Sequence, residues 1–129
     1  MTRPASRFPT ELELEILKIL WRDGPSTVRH MRDALAETRN LAYTTVMTMM
    51  GIMTDKGYLR RTKRGGGYTY SPKLNRKVAA SEMLGDFVER MFDGSAKAVV
   101  LHLIETGEID EQELRELRRL LAEKTEGQP

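Results

Sequence analysis

No cysteine occurs among the 129 residues. Disulfides, thiolate-ligated zinc and iron–sulfur clusters are thereby excluded. Histidine is nearly as scarce: His30 and His102 are the only two. Neither stands in an H-E-x-x-H pattern or beside a nucleophile, so both read as packing or surface residues, and an enzyme is not expected. Nothing points to a cofactor or a metal. No apolar run approaches the roughly 20 residues a membrane span requires. The first nine residues also lack the apolar centre of a secretory leader. A cytoplasmic protein without membrane contact is the expectation.

Net charge is low too, at +2, but that figure hides a split. Residues 1–74 carry 13 lysines and arginines against 7 acids, whereas residues 75–129 carry 8 against 12. A basic half beside an acidic half suggests that the first meets a polyanion and the second has another task. With 40% hydrophobic and 31% charged residues the chain has a globular balance. At this length roughly two-thirds of the unfolded surface becomes buried, enough for a real core.

Periodicity divides the chain further. Residues 1–9, with two prolines and two arginines, read as a loose arm. Thr10-x-x-Glu13 is a capping box opening a helix with Leu12, Ile16, Leu17 and Leu20 at helical spacing; Trp21 closes the stripe and Asp23-Gly24-Pro25 ends it. Ser26 or Thr27 starts a second helix, burying Val28, Met31 and Leu35. Residues 38–42 connect it to a third, from about Tyr43 to Lys56, stopped by Gly57. The period then changes. Residues 58–62 and 67–71 read as strands, joined by the glycine-rich link Lys63-Arg64-Gly65-Gly66, and Pro72 should end the second.

The remainder reads as three helices: about Asn75 to Phe92, broken at Asp93-Gly94; Ser95 to about Thr106; and one opened by the capping box Asp110-x-x-Glu113. Gly127-Gln128-Pro129 should fray. The expected fold is therefore mainly α with a small β-hairpin: a winged helix-turn-helix domain over residues 1–74 and a helical dimerisation region over 75–129.

The third helix and the hairpin carry the functional signal. At 100° per residue Val46, Met49, Met50 and Met53 share one face of the helix. Thr44, Thr48, Gly51 and Asp55 share the opposite one, with Thr45, Met47 and Ile52 on the flanks. The methionines could suggest a soft-metal site, but their shared face with Val46 indicates core packing. The outer face offers small hydroxylated side chains, whose methyls can also meet thymine methyls. Arg60, Arg61, Lys63 and Arg64 cluster on the hairpin with Lys56 just before it, as phosphate contacts require. The same charges would also protect an exposed sheet edge. Gly65-Gly66-Gly67 lacks the Lys-Ser/Thr and following helix of a phosphate loop, and reads as a turn. The candidate contacts to double-stranded DNA are Tyr43, Thr44, Thr45, Thr48, Lys56, Arg60, Arg61, Lys63 and Arg64. Two other readings compete: a winged helix serving as a protein-docking module, which the threonines and basic wing disfavour, and an enzyme subunit, opposed by the missing catalytic groups.

At these residues the chain resembles the penicillinase-repressor family of bacterial winged-helix regulators, the BlaI/MecI type. The resemblance runs through Thr10, Glu13, Ile16, Leu17, Leu20 and Trp21, then Thr45-Val46-Met47-Thr48, Lys56-Gly57, Leu59, Gly65, Tyr70 and Pro72. It implies a homodimer whose wings and third helices read a palindromic operator, with the three C-terminal helices forming the dimer. It also implies repression of antibiotic-resistance genes and, as a further partner, a regulatory protease that cleaves within the fifth helix. Three positions depart from the family pattern. Ile52 replaces a usual basic residue, Gly66 replaces the wing arginine, and His102–Leu103 replaces the cleaved Asn–Phe pair. The copper-sensing branch, which uses paired cysteines, is excluded.

Overall fold

The structure, a computed structural model, describes residues 8–126. Most of the expected N-terminal arm and the expected frayed end, residues 127–129, lie outside the described residues. The element order is α1 (Glu11–Asp23), α2 (Val28–Leu35), α3 (Tyr43–Asp55), β1 (Leu59–Arg64), β2 (Gly67–Pro72), α4 (Arg76–Phe92), α5 (Ala96–Glu105) and α6 (Glu111–Glu126). The chain divides into two compact units, the first through Met83 and the second from Leu84.

Local chemistry explains why the first unit's helices begin and end where they do. At α1 both halves of the capping box form: the Glu13 N–H donates to Thr10 Oγ1 (3.2 Å) and the Thr10 N–H donates to Glu13 Oε1 (2.9 Å). Thr27 caps α2, its hydroxyl accepting from the His30 N–H at 3.1 Å. Ser26 is not helical. It exchanges two backbone hydrogen bonds with Tyr70 (2.9 and 2.8 Å), adding a one-residue third strand to the hairpin. α3 stops at Gly57, whose φ of 85° a side chain with a Cβ disfavours.

The three helices and the hairpin enclose one core. α1 supplies Ile16, Leu17 and Leu20, α2 Val28, Met31 and Leu35, and α3 Val46, Met50 and Met53, with Leu59 and Tyr70 closing it from the strands. Each such side chain contributes about 1.5–3 kcal/mol by leaving water. Trp21 is half-buried at the edge, its indole N–H donating to the Leu74 carbonyl at 3.0 Å and so fastening α1 to the segment that leads into α4. Three helices followed by an antiparallel hairpin packed on them form a winged helix.

The hairpin differs from the expected one. β1 runs to Arg64 rather than Thr62, so Lys63 and Arg64 belong to the strand, and the link shrinks to Gly65-Gly66. Gly65 adopts φ 59°, the positive value a two-residue hairpin turn needs at its first position, so no further residues are required to reverse the chain. Pro72 is the last residue of β2 rather than the first beyond it.

Asn75 caps α4, its side-chain oxygen accepting from the Lys77 and Val78 N–H groups at 2.8 and 3.2 Å. In the second unit Asp93 and Gly94, both at positive φ, end α4. Ser95 caps α5 through a 3.0 Å bond from the Ala98 N–H. Asp110 and Glu113 form the expected capping box of α6. These helices are well capped but hardly packed. No residue of α5 or α6 is buried, and Leu84, Phe87, Met91, Leu120 and Leu121 are each at least half exposed.

Candidate nucleic-acid interface

α3 sits in the core by one face only. Val46, Met50 and Met53 are fully buried and Met49 half-buried, while Tyr43, Thr44, Thr45, Met47, Thr48 and Ile52 are exposed. This is the segregation the 100° periodicity predicts. The outward strip carries no charge until its last residue: from Tyr43 to Thr54 the helix contains no ionisable group except the Tyr43 phenol, and Asp55, exposed at the C-terminal end, is the one acid on that face. Gly51 lies on that strip, and a Cβ built on it would meet no other atom within 4 Å.

The hairpin supplies the charge. Arg60, Arg61, Lys63 and Arg64 are all exposed. The register pairs Arg61 with Tyr70, Lys63 with Tyr68, Arg60 with Ser71 and Arg64 with Gly67. Since alternate residues of a strand point to opposite faces, the four cations divide two and two between the faces of the wing. Arg61 lies 4.3 Å from the Tyr68 ring centroid, a cation–π contact that holds the guanidinium over the ring while leaving its edge free.

Between α3 and the wing runs a groove of about 410 Å³. It brings together Tyr43 and Met47 from α3 with Arg64 and Thr69 from the wing. Arg29, from the first turn of α2, lines it as well. Sequence reasoning missed this residue, because its only signal was a positive charge on the exposed side of a short helix.

Lys56 goes elsewhere. Its Nζ lies 2.8 Å from Glu13 Oε2, and the Glu13 side chain is only 2% exposed. Burial pushes the Glu13 carboxyl up, but the hydrogen bonds from Lys56 and Thr10 outweigh it and hold the group below the usual carboxylate range. The bond spans 43 residues. A capping box in the sequence announces Glu13 as a helix cap, and nothing in it reveals the second partner. On the far side of α1, Arg39 and Thr38 donate to Glu15 and hold that carboxylate low in the same way.

No group of three or more histidine or acidic side chains is placed to hold a metal ion among the described residues. No helix among them is long and apolar enough to cross a membrane.

The family model of the penicillinase repressor matches residues 9–123. The chain belongs to the penicillinase repressor family. That family is one of transcriptional repressors and not a class of enzymes, and membership bears out the resemblance carried by Thr45-Val46-Met47-Thr48 and Lys56-Gly57. Among curated relatives, the transcriptional regulator BlaI of Mycobacterium tuberculosis is 34% identical over 119 residues, covering 91% of this chain and 85% of that protein. The penicillinase repressor of Bacillus licheniformis is 25% identical over 114 residues, covering 88% and 89% respectively. A solved structure of Bacillus licheniformis BlaI, a monomeric form in complex with the blaP half-operator, is 23% identical. It covers 60% of this family member and 92% of that chain, with a TM-score of 0.47.

Proposed function

We propose that this protein is a sequence-specific DNA-binding repressor acting as a homodimer on a palindromic operator. One observation carries the reading: an outward strip on α3, uncharged up to Asp55 at its end, stands beside a wing with four exposed cations, with a groove between them. A helix fits the major groove, and its outward face then meets base edges, while cations on a neighbouring loop meet phosphates. Tyr43, Thr44, Thr45 and Thr48 take the first task, and Arg60, Arg61, Lys63 and Arg64, with Arg29, take the second. Lys56 is the weakest of the expected contacts, because its ammonium already serves Glu13.

The homodimer rests on the second unit. Its Leu84, Phe87, Met91, Leu120 and Leu121, each at least half exposed, are the large apolar side chains a second copy would cover. Two copies meeting through these helices would present two α3 helices related by a two-fold axis, and hence call for a palindromic site. Antibiotic-resistance genes are the target class the family membership favours. Release by a regulatory protease forms no part of the proposal, since His102–Leu103 stands where the family's cleaved pair is Asn–Phe.

Selecting bound duplexes from random DNA with the full chain tests this. A consensus with two-fold symmetry is expected, bound at least about 1,000-fold more tightly than random duplex. With roughly 6–10 phosphates engaged per dimer, log affinity should fall against log salt with a slope of about −5 to −9. A slope near zero, or no enriched sequence, would overturn it.

A further inference from the structure

The composition of α3 restricts what the helix can read. From Tyr43 to Thr54 it contains no arginine, lysine, asparagine, glutamine, aspartate or glutamate, and Asp55 at its C-terminal end is the one such side chain in the helix. The paired hydrogen bonds that single out guanine, adenine or cytosine come from those side chains. Threonine hydroxyls remain, but a hydroxyl both donates and accepts and therefore separates bases poorly. What is left is apolar contact, and in the major groove that favours one base, because only thymine carries a methyl group there.

The structure puts two large apolar side chains where such contact would occur. Met47 is 44% and Ile52 42% exposed, although the helix they belong to buries its other aliphatic and methionine side chains wholly or in large part; Tyr43, equally exposed, stands at its first position. At 100° per residue they lie about 140° apart, one on each side of Thr48. Met47 stands on the flank that lines the groove beside the wing; Ile52 stands on the other. Gly51, on the strip between those flanks, leaves open space where any other residue would hold the helix further out. Single exposed apolar residues are common and need no explanation. Two that flank a strip with no discriminating polar group before its last residue do.

We propose that Met47 and Ile52 are specificity-determining residues that read thymine methyl groups, so that the operator half-site is chosen by its thymines under α3. The inference rests on the reading of α3 as the helix that enters the major groove. It also predicts what the wing does not do: Arg60, Arg61, Lys63 and Arg64 supply affinity, and the choice among sequences comes mainly from methyl contact, with the threonine hydroxyls contributing less.

Deoxyuridine is the probe, since it differs from thymidine by that one methyl and keeps the charge and the pairing. Duplexes selected by the full chain are remade with a single thymine replaced by uracil, position by position in each half-site. Loss of one buried methyl should weaken binding about fourfold at the thymines beneath Met47 and Ile52, with little effect elsewhere. Ile52→Ala, an exposed position whose truncation leaves the core intact, should bind the thymine and uracil forms alike at its own position; Met47→Ala should do so at the other. Thr48→Ala should retain both differences. If uracil is as good as thymine everywhere while the selected duplex still outcompetes random DNA, methyl reading is overturned and the repressor reading stands. If the same thymine-to-uracil loss persists in Ile52→Ala and Met47→Ala, the methyls act through the shape of the DNA and the assignment of these two residues is overturned. If the chain prefers no duplex at all, both proposals fall together.

Discussion

Glu13 has one oxygen for the start of its own helix and one for the end of another. Oε1 accepts from the Thr10 N–H and Oε2 meets the Lys56 ammonium, so a side chain 2% exposed fixes α1 against the C-terminus of α3. Removing the cation leaves a buried carboxylate with no counter-charge. Lys56→Met should therefore cost about 3 kcal/mol of unfolding free energy, the lower end for a broken buried pair because Lys56 is itself partly exposed; urea titration measures it. Acid should act through the same carboxylate. Its pKa is lowered in the folded state, so its stabilising contribution is complete above the ordinary value of 4.5 and is lost as the pH falls through the folded value. The urea midpoint should drop below about pH 5, and Glu13→Gln should flatten that drop. Gly51 gives the converse case, a residue the fold does not require. A mid-helix glycine costs about 0.5–1 kcal/mol relative to alanine, and here nothing would obstruct the added methyl. Gly51→Ala should raise the melting temperature while weakening binding to the selected operator. Unchanged operator affinity would show that no base edge approaches this strip.

At the level of elements, α3 and the hairpin divide the labour, and two substitutions separate them. Thr48→Ala should cost about 0.5–1.5 kcal/mol, the worth of one hydroxyl hydrogen bond, on the selected operator and little on random duplex. Arg64→Ala should weaken both duplexes alike and flatten the salt slope by about one unit per wing. Equal losses on both duplexes for Thr48→Ala would mean that Thr48 meets no base edge. Why these elements could be anticipated is visible in particular residues. Helix starts were legible because Thr10, Thr27, Ser95 and Asp110 cap through bonds three residues long. The faces of α3 were legible because its apolar residues recur at the helical period. The reach of β1 was not, because Lys63 and Arg64 look like loop residues until the two-glycine turn shows how few residues the reversal needs. The bridge from Ser26 to Tyr70 has no repeat to announce it. Lys56–Glu13 and the placement of Arg29 depend on how distant segments pack, which no local pattern records.

At the scale of the whole molecule the two units differ in how completely each can bury itself. The first closes a core from five elements, whereas α5 and α6 bury no residue fully in the single chain. Sedimentation of the full chain at micromolar concentration should therefore give twice the monomer mass of 14.8 kDa. A monomer there would remove the dimer and the symmetry of its site together. Replacing Leu120 and Leu121, both more than half exposed on α6, by glutamate should give the monomer and leave the first unit folded. The unburied state of α5 and α6 has a consequence for turnover in a cell. Were the proposed dimer to complete that unit's core, the unit would be ordered in proportion to how much of the protein is present, and scarce chains would spend longer open and meet proteases more often. Such a repressor's lifetime would lengthen as it accumulates and shorten as it is diluted by growth, which sharpens the step between a silent and an expressed gene.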